Sequence, residues 1–251
     1  MIELVLIFAA MLIIFIVLFK LRKTLFFFGL FFKIFCIVLV LLVVGAAVFA
    51  YFVVKDANDF RSNFTNSSNM FLMKENVNGT AKILAGISVN IYNKSFEPLN
   101  TSQIAEAQNL YNEGKISDLE KNYYKIFVID IKSIDNISMG NISDNNVRLT
   151  TDEVKSILRS DNARDELASV MAGNQDIVKS DILNDMKVSN EELKGYLFSY
   201  YLGTVFNPAN MGQFIMQYKE GNIEIYEQTA MFTAVKLIPQ SLIESIVAKV
   251  S

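Results

Sequence analysis

Two long apolar runs near the N-terminus constrain this chain more than any other feature. The first extends from Leu4 to Phe19 and the second from Ile34 to Val54, and neither contains a charged residue. At ~1.5 Å per helical residue, the second run matches a hydrocarbon core of roughly 30 Å, whereas the first needs a residue or two from its flanks. We therefore predict a transmembrane helical hairpin over residues 1–54, with helices at about 2–19 and 34–54.

The linker between the two runs, residues 20–33, sets the predicted orientation. It carries four basic side chains, and outside it the first 54 residues hold a single charge, Glu3. Short loops rich in Lys and Arg stay in the cytoplasm. We therefore expect the linker inside, and a stalk over 55–69 and a large domain over 70–251 outside the cell membrane. The residues that determine this topology are Lys20, Arg22, Lys23 and Lys33.

A group of small residues in the second run is a candidate helix-packing face. Small side chains let two membrane helices approach closely. The face could pack against the first helix of the same hairpin, or it could contact a protein partner or a second copy of the chain. The residues concerned are Gly45, Ala46, Ala47 and Ala50.

The charge of the chain is divided unevenly. Residues 1–55 hold five basic and one acidic side chain, so of the 23 basic and 26 acidic residues of the chain, 18 and 25 remain in residues 56–251, the predicted stalk and outer domain, a net charge of −7. An acidic domain repels phosphate backbones. We therefore expect no nucleic-acid partner.

Two residue types that dominate protein catalysis and metal binding are nearly missing. The chain has no histidine, and its one cysteine, Cys36, lies inside the second apolar run. The outer domain can form no disulfide, no zinc site built on thiolates, and no Ser-His-Asp or Cys-His catalytic group. We therefore predict no metal site and no cofactor, and the sequence does not identify a small-molecule ligand.

The pattern of the outer domain predicts an α+β fold, because strands occur early and late with helices between them. Asn78-Gly79 between apolar segments indicates a β-hairpin, and Thr150 with Glu153 and Ser189 with Glu192 have the form of capping boxes. The predicted strands are Phe71–Met73, Ala81–Val89, Tyr123–Ile131, Val147–Leu149, and a second hairpin of Ile223–Tyr226 with Ala230–Lys236. The predicted helices are Thr101–Asn112, 150–159, 162–172, 175–187, 190–206, Pro208–Lys219 and Gln240–Val250.

Seven Asn-x-Ser/Thr sequons cluster in the first part of the outer domain, and none follows Asn141. Such sequons are acceptors for N-glycosylation, which agrees with the orientation derived from the basic linker. The alternative is that Asn-rich loops also attract Ser and Thr as turn residues. The candidate glycosylation sites are Asn63, Asn66, Asn78, Asn93, Asn100, Asn136 and Asn141.

Two further groups of residues admit a functional and a structural interpretation. Pairs of carboxylates can hydrolyse glycosides, but helix caps and solvated helix faces are the commoner use of Asp and Glu. Tyrosines at helical spacing can form a binding platform, but core packing is the commoner use of such a stripe. The carboxylates are Asp130, Asp135, Asp152, Glu153, Asp165, Glu166, Asp181 and Asp185. The aromatic residues are Tyr196, Phe198, Tyr200 and Tyr201.

These observations lead to three hypotheses about function. The first is a non-enzymatic, membrane-anchored surface glycoprotein whose outer domain binds or scaffolds a partner. The second is an accessory subunit of a membrane complex assembled through the transmembrane hairpin. The third is an extracytoplasmic hydrolase that uses carboxylates.

Overall fold

The structure is a computed structural model, and it describes residues 14, 16, 29–89, 95–136, 142–144, 147–174, 179, 182–183, 186–206 and 210–241. The chain divides into two compact units, residues 1–52 and residues 53–251. The first described helix, α1, extends over Gly29–Asn63 and passes from the first unit into the second.

Helix α1 contains the second apolar run. The part from Phe35 to Asn63 is long and apolar enough to cross a membrane, and none of its most apolar 18-residue stretch is buried in the protein. The first apolar run lies outside the described residues apart from Ile14 and Ile16, both helical and exposed. The described residues therefore contain one helix suited to span a bilayer, and the two-helix hairpin stays a prediction.

The second unit is an α+β fold with seven described strands. They are β1 (Asn69–Val77), β2 (Thr80–Val89), β3 (Phe96–Pro98), β4 (Lys125–Asp130), β5 (Ile142–Asp144), β6 (Val147–Leu149) and β7 (Ile223–Tyr226). Five of them form a mixed sheet with the order β3-β2-β1-β4-β7, and β5 and β6 form a short two-stranded sheet. Strand β1 is parallel to β4 and antiparallel to β2, while β7 is antiparallel to β4.

Helices cover both faces of the sheet. Helix α2 (Thr101–Asn112) and a 3₁₀ turn at Ile116–Lys121 enclose the smaller core. The larger core lies on the opposite face, against the remaining helices. These are α3 (Thr151–Arg159), α4 (Ala163–Asn174), α5 (Asn190–Val205), α6 (Met211–Lys219) and α7 (Ala230–Leu237).

The alternation of side chains along the strands decides which core each residue joins. In β1, Phe71 enters the larger core and Leu72 the smaller one, and β4 alternates in the same way. A register shift opposite Met73 and Lys74 interrupts the pairing with β2. Because a bulge places two successive residues on one face, both Leu84 and Ala85 enter the larger core.

Most of the predicted elements are confirmed. The first hairpin turns at Asn78-Gly79, both with positive φ (51° and 84°), as an Asn-Gly hairpin turn requires. Helix α2 has the predicted bounds, with Asn100 as its N-cap. The capping boxes at Thr150 and at Ser189 are both present, since each hydroxyl accepts the backbone N–H three residues later.

The second predicted hairpin is wrong. Ile223–Tyr226 is a strand, but it pairs with β4, and Ala230–Leu237 is helix α7 instead of a return strand. Residues 230–237 contain two alanines, a methionine, a leucine and a lysine, all good helix formers, and the helix buries Phe232.

The predicted terminal helix begins at Gln240, and from residue 242 onward it lies outside the described residues. Of the predicted helix at 175–187, residues 179 and 182–183 are described and helical.

Candidate functional site

The most highly connected group of ionisable side chains lies on the smaller-core face of the sheet. We name it the Lys74 cluster, and it consists of Lys74, Tyr111, Glu224 and Tyr226. Lys74 continues the even-numbered face of β1 beyond Met70 and Leu72, and its side chain is 7% exposed. A lysine at such a position requires a partner, because an unpaired buried ammonium is costly.

The partner of Lys74 is Glu224, two strands away. In β7, Ile223 and Ile225 enter the larger core, so Glu224 and Tyr226 point to the opposite face. Strand β4 lies between β1 and β7, and the buried Val128 is in register with Glu224. The long side chains of Lys74 and Glu224 bridge this strand and form an ion pair.

Two tyrosines complete the cluster. The Tyr111 hydroxyl, from the last turn of α2, accepts a hydrogen bond from Lys74 Nζ at 2.5 Å and donates to Glu224 Oε1 at 2.9 Å. The Tyr226 hydroxyl donates to Glu224 Oε2 at 2.8 Å. Lys74 Nζ also lies 5.0 Å from the centre of the Tyr111 ring. Both carboxylate oxygens of Glu224 therefore accept hydrogen bonds from within the protein.

The electrostatics of the cluster favour the charged pair. Burial alone would raise the pKa of Glu224, but the hydrogen bonds from Lys74 and Tyr226 outweigh it and lower that pKa below 4.5. Burial would lower the pKa of Lys74, but its bonds to Glu224 and Tyr111 raise that pKa above 10.5. Burial raises the pKa of Tyr226 and of Tyr111.

These shifts are opposite to those that favour a carboxylate general base or a lysine nucleophile. A general base works best with a pKa near neutrality, and a lysine nucleophile needs a lowered pKa. Glu224 is instead a weaker base than usual, and Lys74 remains protonated. The cluster is arranged to tie α2, β1 and β7 together across the sheet.

The predicted carboxylates that the structure describes are distributed over β4, the 3₁₀ turn Ile131–Asn136, α3 and α4. Asp130 accepts from the backbone N–H of Lys132 at 3.0 Å, and Asp135 pairs with Lys155. Glu153 serves the capping box of α3. Asp165 pairs with Lys179 at 2.8 Å, Glu166 accepts from Ser156 at 2.6 Å, and Asp152 lies exposed in the first turn of α3. Asp181 and Asp185 lie outside the described residues.

The predicted sequon asparagines lie mostly at turns and helix ends. Asn66, Asn78 and Asn100 are exposed, and Asn63 is half-buried with its Nδ2 donating to Asp59 at 2.7 Å. Asn78 occupies the hairpin turn and Asn100 caps α2. Asn93 and Asn141 lie outside the described residues, as does the side chain of Asn136.

The aromatic stripe of α5 divides into two pairs. Phe198 and Tyr201 are buried in the larger core, and the Tyr201 hydroxyl shares a 2.7 Å hydrogen bond with Ser133. Tyr196 and Tyr200 are 51% and 43% exposed. Core packing therefore accounts for half of the stripe, and two tyrosines remain on the surface.

The topology and packing residues lie in or before α1. Lys20, Arg22 and Lys23 are outside the described residues, and Lys33 is helical. Gly45, Ala46 and Ala47 are exposed, and a Cβ added at Gly45 would meet no atom within 4 Å. Ala50 is half-exposed. Within the part of the chain that the structure describes, no group of three or more His, Cys, Asp or Glu residues could hold a metal ion.

The sequence did not predict the Lys74 cluster, although two features of the sequence indicate parts of it. Glu224 and Tyr226 alternate with two isoleucines, which indicates that both lie on one face of a strand. A lysine that continues an apolar strand also signals a buried partner. The identity of that partner is not readable, because 150 positions separate Lys74 from Glu224.

Comparison with protein families, with curated proteins and with solved structures finds no match to this chain.

Proposed function

We propose that this chain is a membrane-anchored surface glycoprotein whose domain over residues 70–251 lies outside the cytoplasm and binds or scaffolds another molecule without catalysis. The observation that carries the proposal is helix α1. It presents an unburied apolar stretch suited to a bilayer, and the same helix enters a folded α+β unit. A helix that exposes so many apolar side chains needs a non-aqueous environment.

The sequons support the outward orientation of the domain. Asn78 and Asn100 are exposed, so their side chains are sterically open to a transferred glycan, whereas Nδ2 of Asn66, also an exposed residue, donates to the carbonyl of Ser62 at 2.6 Å. The carboxamide of Asn100 caps α2 through its oxygen, and its nitrogen is the atom that would be modified.

A binding role is favoured over catalysis by the state of the ionisable groups. The Lys74 cluster satisfies its own charges and hydrogen bonds, and the bonds from Lys74 and Tyr226 lower the pKa of Glu224, so its charged form is favoured. The surface tyrosines Tyr196 and Tyr200 offer aromatic contact area of the kind that binding interfaces use.

The first experiment measures orientation and glycosylation together on the full-length protein from its own cells. Protease added to intact cells should digest the domain beyond residue 55, and glycosidase treatment should lower the apparent mass. An Asn78→Gln variant should lose one glycan, whereas Asn122→Gln, which alters an exposed asparagine outside any sequon, should lose none. Protection of the domain from protease, together with unmodified Asn66, Asn78 and Asn100, would contradict the proposal.

A second candidate function is an accessory subunit of a membrane complex, favoured by the exposed small residues of α1. Gly45, Ala46 and Ala47 are exposed among the described residues, and a Cβ added at Gly45 would meet no atom within 4 Å. Ala46→Leu combined with Ala50→Leu should then shift the protein from a complex to a smaller species in mild detergent, because bulk at this face prevents close helix approach. Val48→Leu, on an exposed position of the same helix, is the matched control. Unchanged migration of the double variant would remove this candidate.

A further inference from the structure

The end of α1 is part of the packed domain rather than a free tether. Asp56 Oδ2 accepts a hydrogen bond from the backbone N–H of Met231 at 3.3 Å, in the first turn of α7. One turn further along α1, Asp59 Oδ2 accepts from the Tyr124 hydroxyl at 2.6 Å. Phe60 packs edge-on against Phe232 with ring centres 5.5 Å apart.

These contacts fix how far part of the domain can lie from the bilayer. The uncharged run ends at Val54, and Lys55 and Asp56 are the first charged residues after it. Asp56 is two residues beyond Val54, which is about 3 Å along a helix axis. The headgroup layer on each side of a bilayer is roughly 5–7 Å thick. With Val54 placed at the border of the hydrocarbon core, Asp56 falls within that layer at any tilt of the helix, since tilt only reduces its height.

We propose that the first turn of α7 and the loop before it, residues 228–231, lie in the phospholipid headgroup layer and form the lipid-contacting surface of the domain. The backbone of Met231 is hydrogen-bonded to Asp56 and must share its depth. This inference rests on the proposed anchoring of α1 in a membrane, and it adds which surface of the domain meets the lipid.

The chemistry of this surface suits headgroups rather than acyl chains. Gln228, the exposed residue of this surface, is polar and uncharged, whereas the hydroxyl oxygen of the half-exposed Thr229 is buried. Tyr124, bonded to Asp59 about 8 Å beyond Val54, lies at the outer border of the same layer. Tyrosine is enriched at this depth, because its ring is apolar and its hydroxyl polar.

The absence of tryptophan from the chain makes the depth of single sites measurable. A single tryptophan is introduced into the full-length protein, which is reconstituted in phosphatidylcholine vesicles whose acyl chains carry bromine just below the headgroups. Bromine quenches nearby indole fluorescence, and the same variant in unbrominated vesicles gives the reference. The test variants are Met231→Trp and, at the exposed neighbouring position, Gln228→Trp. The comparison variants are Phe49→Trp in the apolar stretch and Val77→Trp at the end of β1.

The expected order of quenching is strong at position 49, intermediate at 231 and 228, and absent at 77. Quenching at 231 and 228 no greater than at 77, with strong quenching at 49, would overturn the inference while leaving the anchor intact. No quenching at 49 would instead show that α1 does not span the bilayer, which overturns the proposed function and this inference together. Gln228 is exposed, so its exchange tests the depth even if the bulkier side chain at 231 prevents folding.

Discussion

At the scale of single residues, the Lys74 cluster shows how a strand accommodates a buried charge. Lys74 is almost fully buried, and it remains compatible with the fold because Glu224 and Tyr111 replace its hydration. Glu224 keeps 30% of its side chain exposed, so solvent weakens the pair relative to a fully buried one.

Lys74→Met should destabilise the folded protein by about 2–3 kcal/mol, because it leaves the carboxylate of Glu224 without its positive partner. This cost is below the ~3–5 kcal/mol of breaking a fully buried pair, because Glu224 is only partly buried. The measurement is chemical unfolding of the protein in detergent. Lys82→Met is the matched control, since Lys82 pairs with Asp161 on the surface and its loss should be too small to resolve. The pairing argument would fail if both variants were equally stable.

The same cluster predicts a pH dependence. The pKa of Glu224 is lowered by folding, so its stabilisation is present above 4.5 and is lost as the pH falls through the lower folded value. The pKa of Lys74 is raised, so its stabilisation is present below 10.5 and is lost only as the pH rises through the higher folded value. The stability difference between the natural protein and Glu224→Gln should therefore be constant near neutrality and should shrink in acid. A difference that grows in acid would contradict this.

At the scale of elements, helix α5 approaches the edge strand β3 closely at Gly195. A Cβ at Gly195 would lie 2.5 Å from Pro98 Cβ and 3.1 Å from its Cα, and the ring and backbone of proline cannot rotate away. The glycine therefore permits the helix to lie directly on the strand.

Gly195→Ala should destabilise the protein by about 1–3 kcal/mol through overpacking. Gly203 is in the same helix, but a Cβ there would meet nothing within 4 Å. Gly203→Ala should therefore stabilise the helix by about 0.5–1 kcal/mol, the usual gain of alanine over glycine. Thermal unfolding of the two variants should shift in opposite directions, and a shift in the same direction would refute the close-contact argument.

A second element-scale feature is the side-chain amide of Gln108, which continues the sheet where β2 has no outer neighbour. Its Oε1 accepts from the N–H of Ile83 at 2.6 Å, and its Nε2 donates to the carbonyl of Ala81 at 2.7 Å. Strand β3 covers β2 only opposite Ile87–Val89. Helix α2 therefore supplies the hydrogen bonds that a longer edge strand would have made.

At the scale of the whole molecule, the last turn of α1 and Phe64, which directly follows the helix, contribute to the core of the second unit. Phe64 lies 5.9 Å from Phe127 and Phe60 lies 5.5 Å from Phe232, measured between ring centres. Both residues pack against the larger core although they precede the first strand.

A fragment of residues 69–251 should therefore be less stable than a fragment of residues 53–251 by about 3–5 kcal/mol, the usual cost of deleting a buried phenylalanine. The shorter fragment lacks two phenylalanines, Phe60 and Phe64. Because each is only partly buried, we count the loss of both as the loss of one fully buried ring. Urea unfolding of the two fragments, followed by circular dichroism, measures the difference. Equal midpoints would show that the end of α1 is a dispensable tether.

Local sequence signals predicted the elements whose geometry depends on near neighbours. The Asn78-Gly79 turn and the capping boxes at Thr150 and Ser189 each involve residues within three positions of one another. The α+β class followed from the order of such elements. The predicted hairpin of Ile223–Tyr226 with Ala230–Lys236 was wrong because strand pairing does not depend on near neighbours alone. The strand that pairs with Ile223–Tyr226 is β4, about a hundred residues earlier in the chain.

By itself, the sequence determined that this chain has an apolar helix suited to a bilayer and an α+β domain without histidine or disulfide chemistry, because these properties follow from composition and short-range periodicity. The tertiary structure decided which side chains meet. Lys74 with Glu224, Asp56 with Met231 and Gly195 with Pro98 are each separated by about a hundred residues or more. Such contacts are set by strand order and helix packing, and no local pattern encodes them.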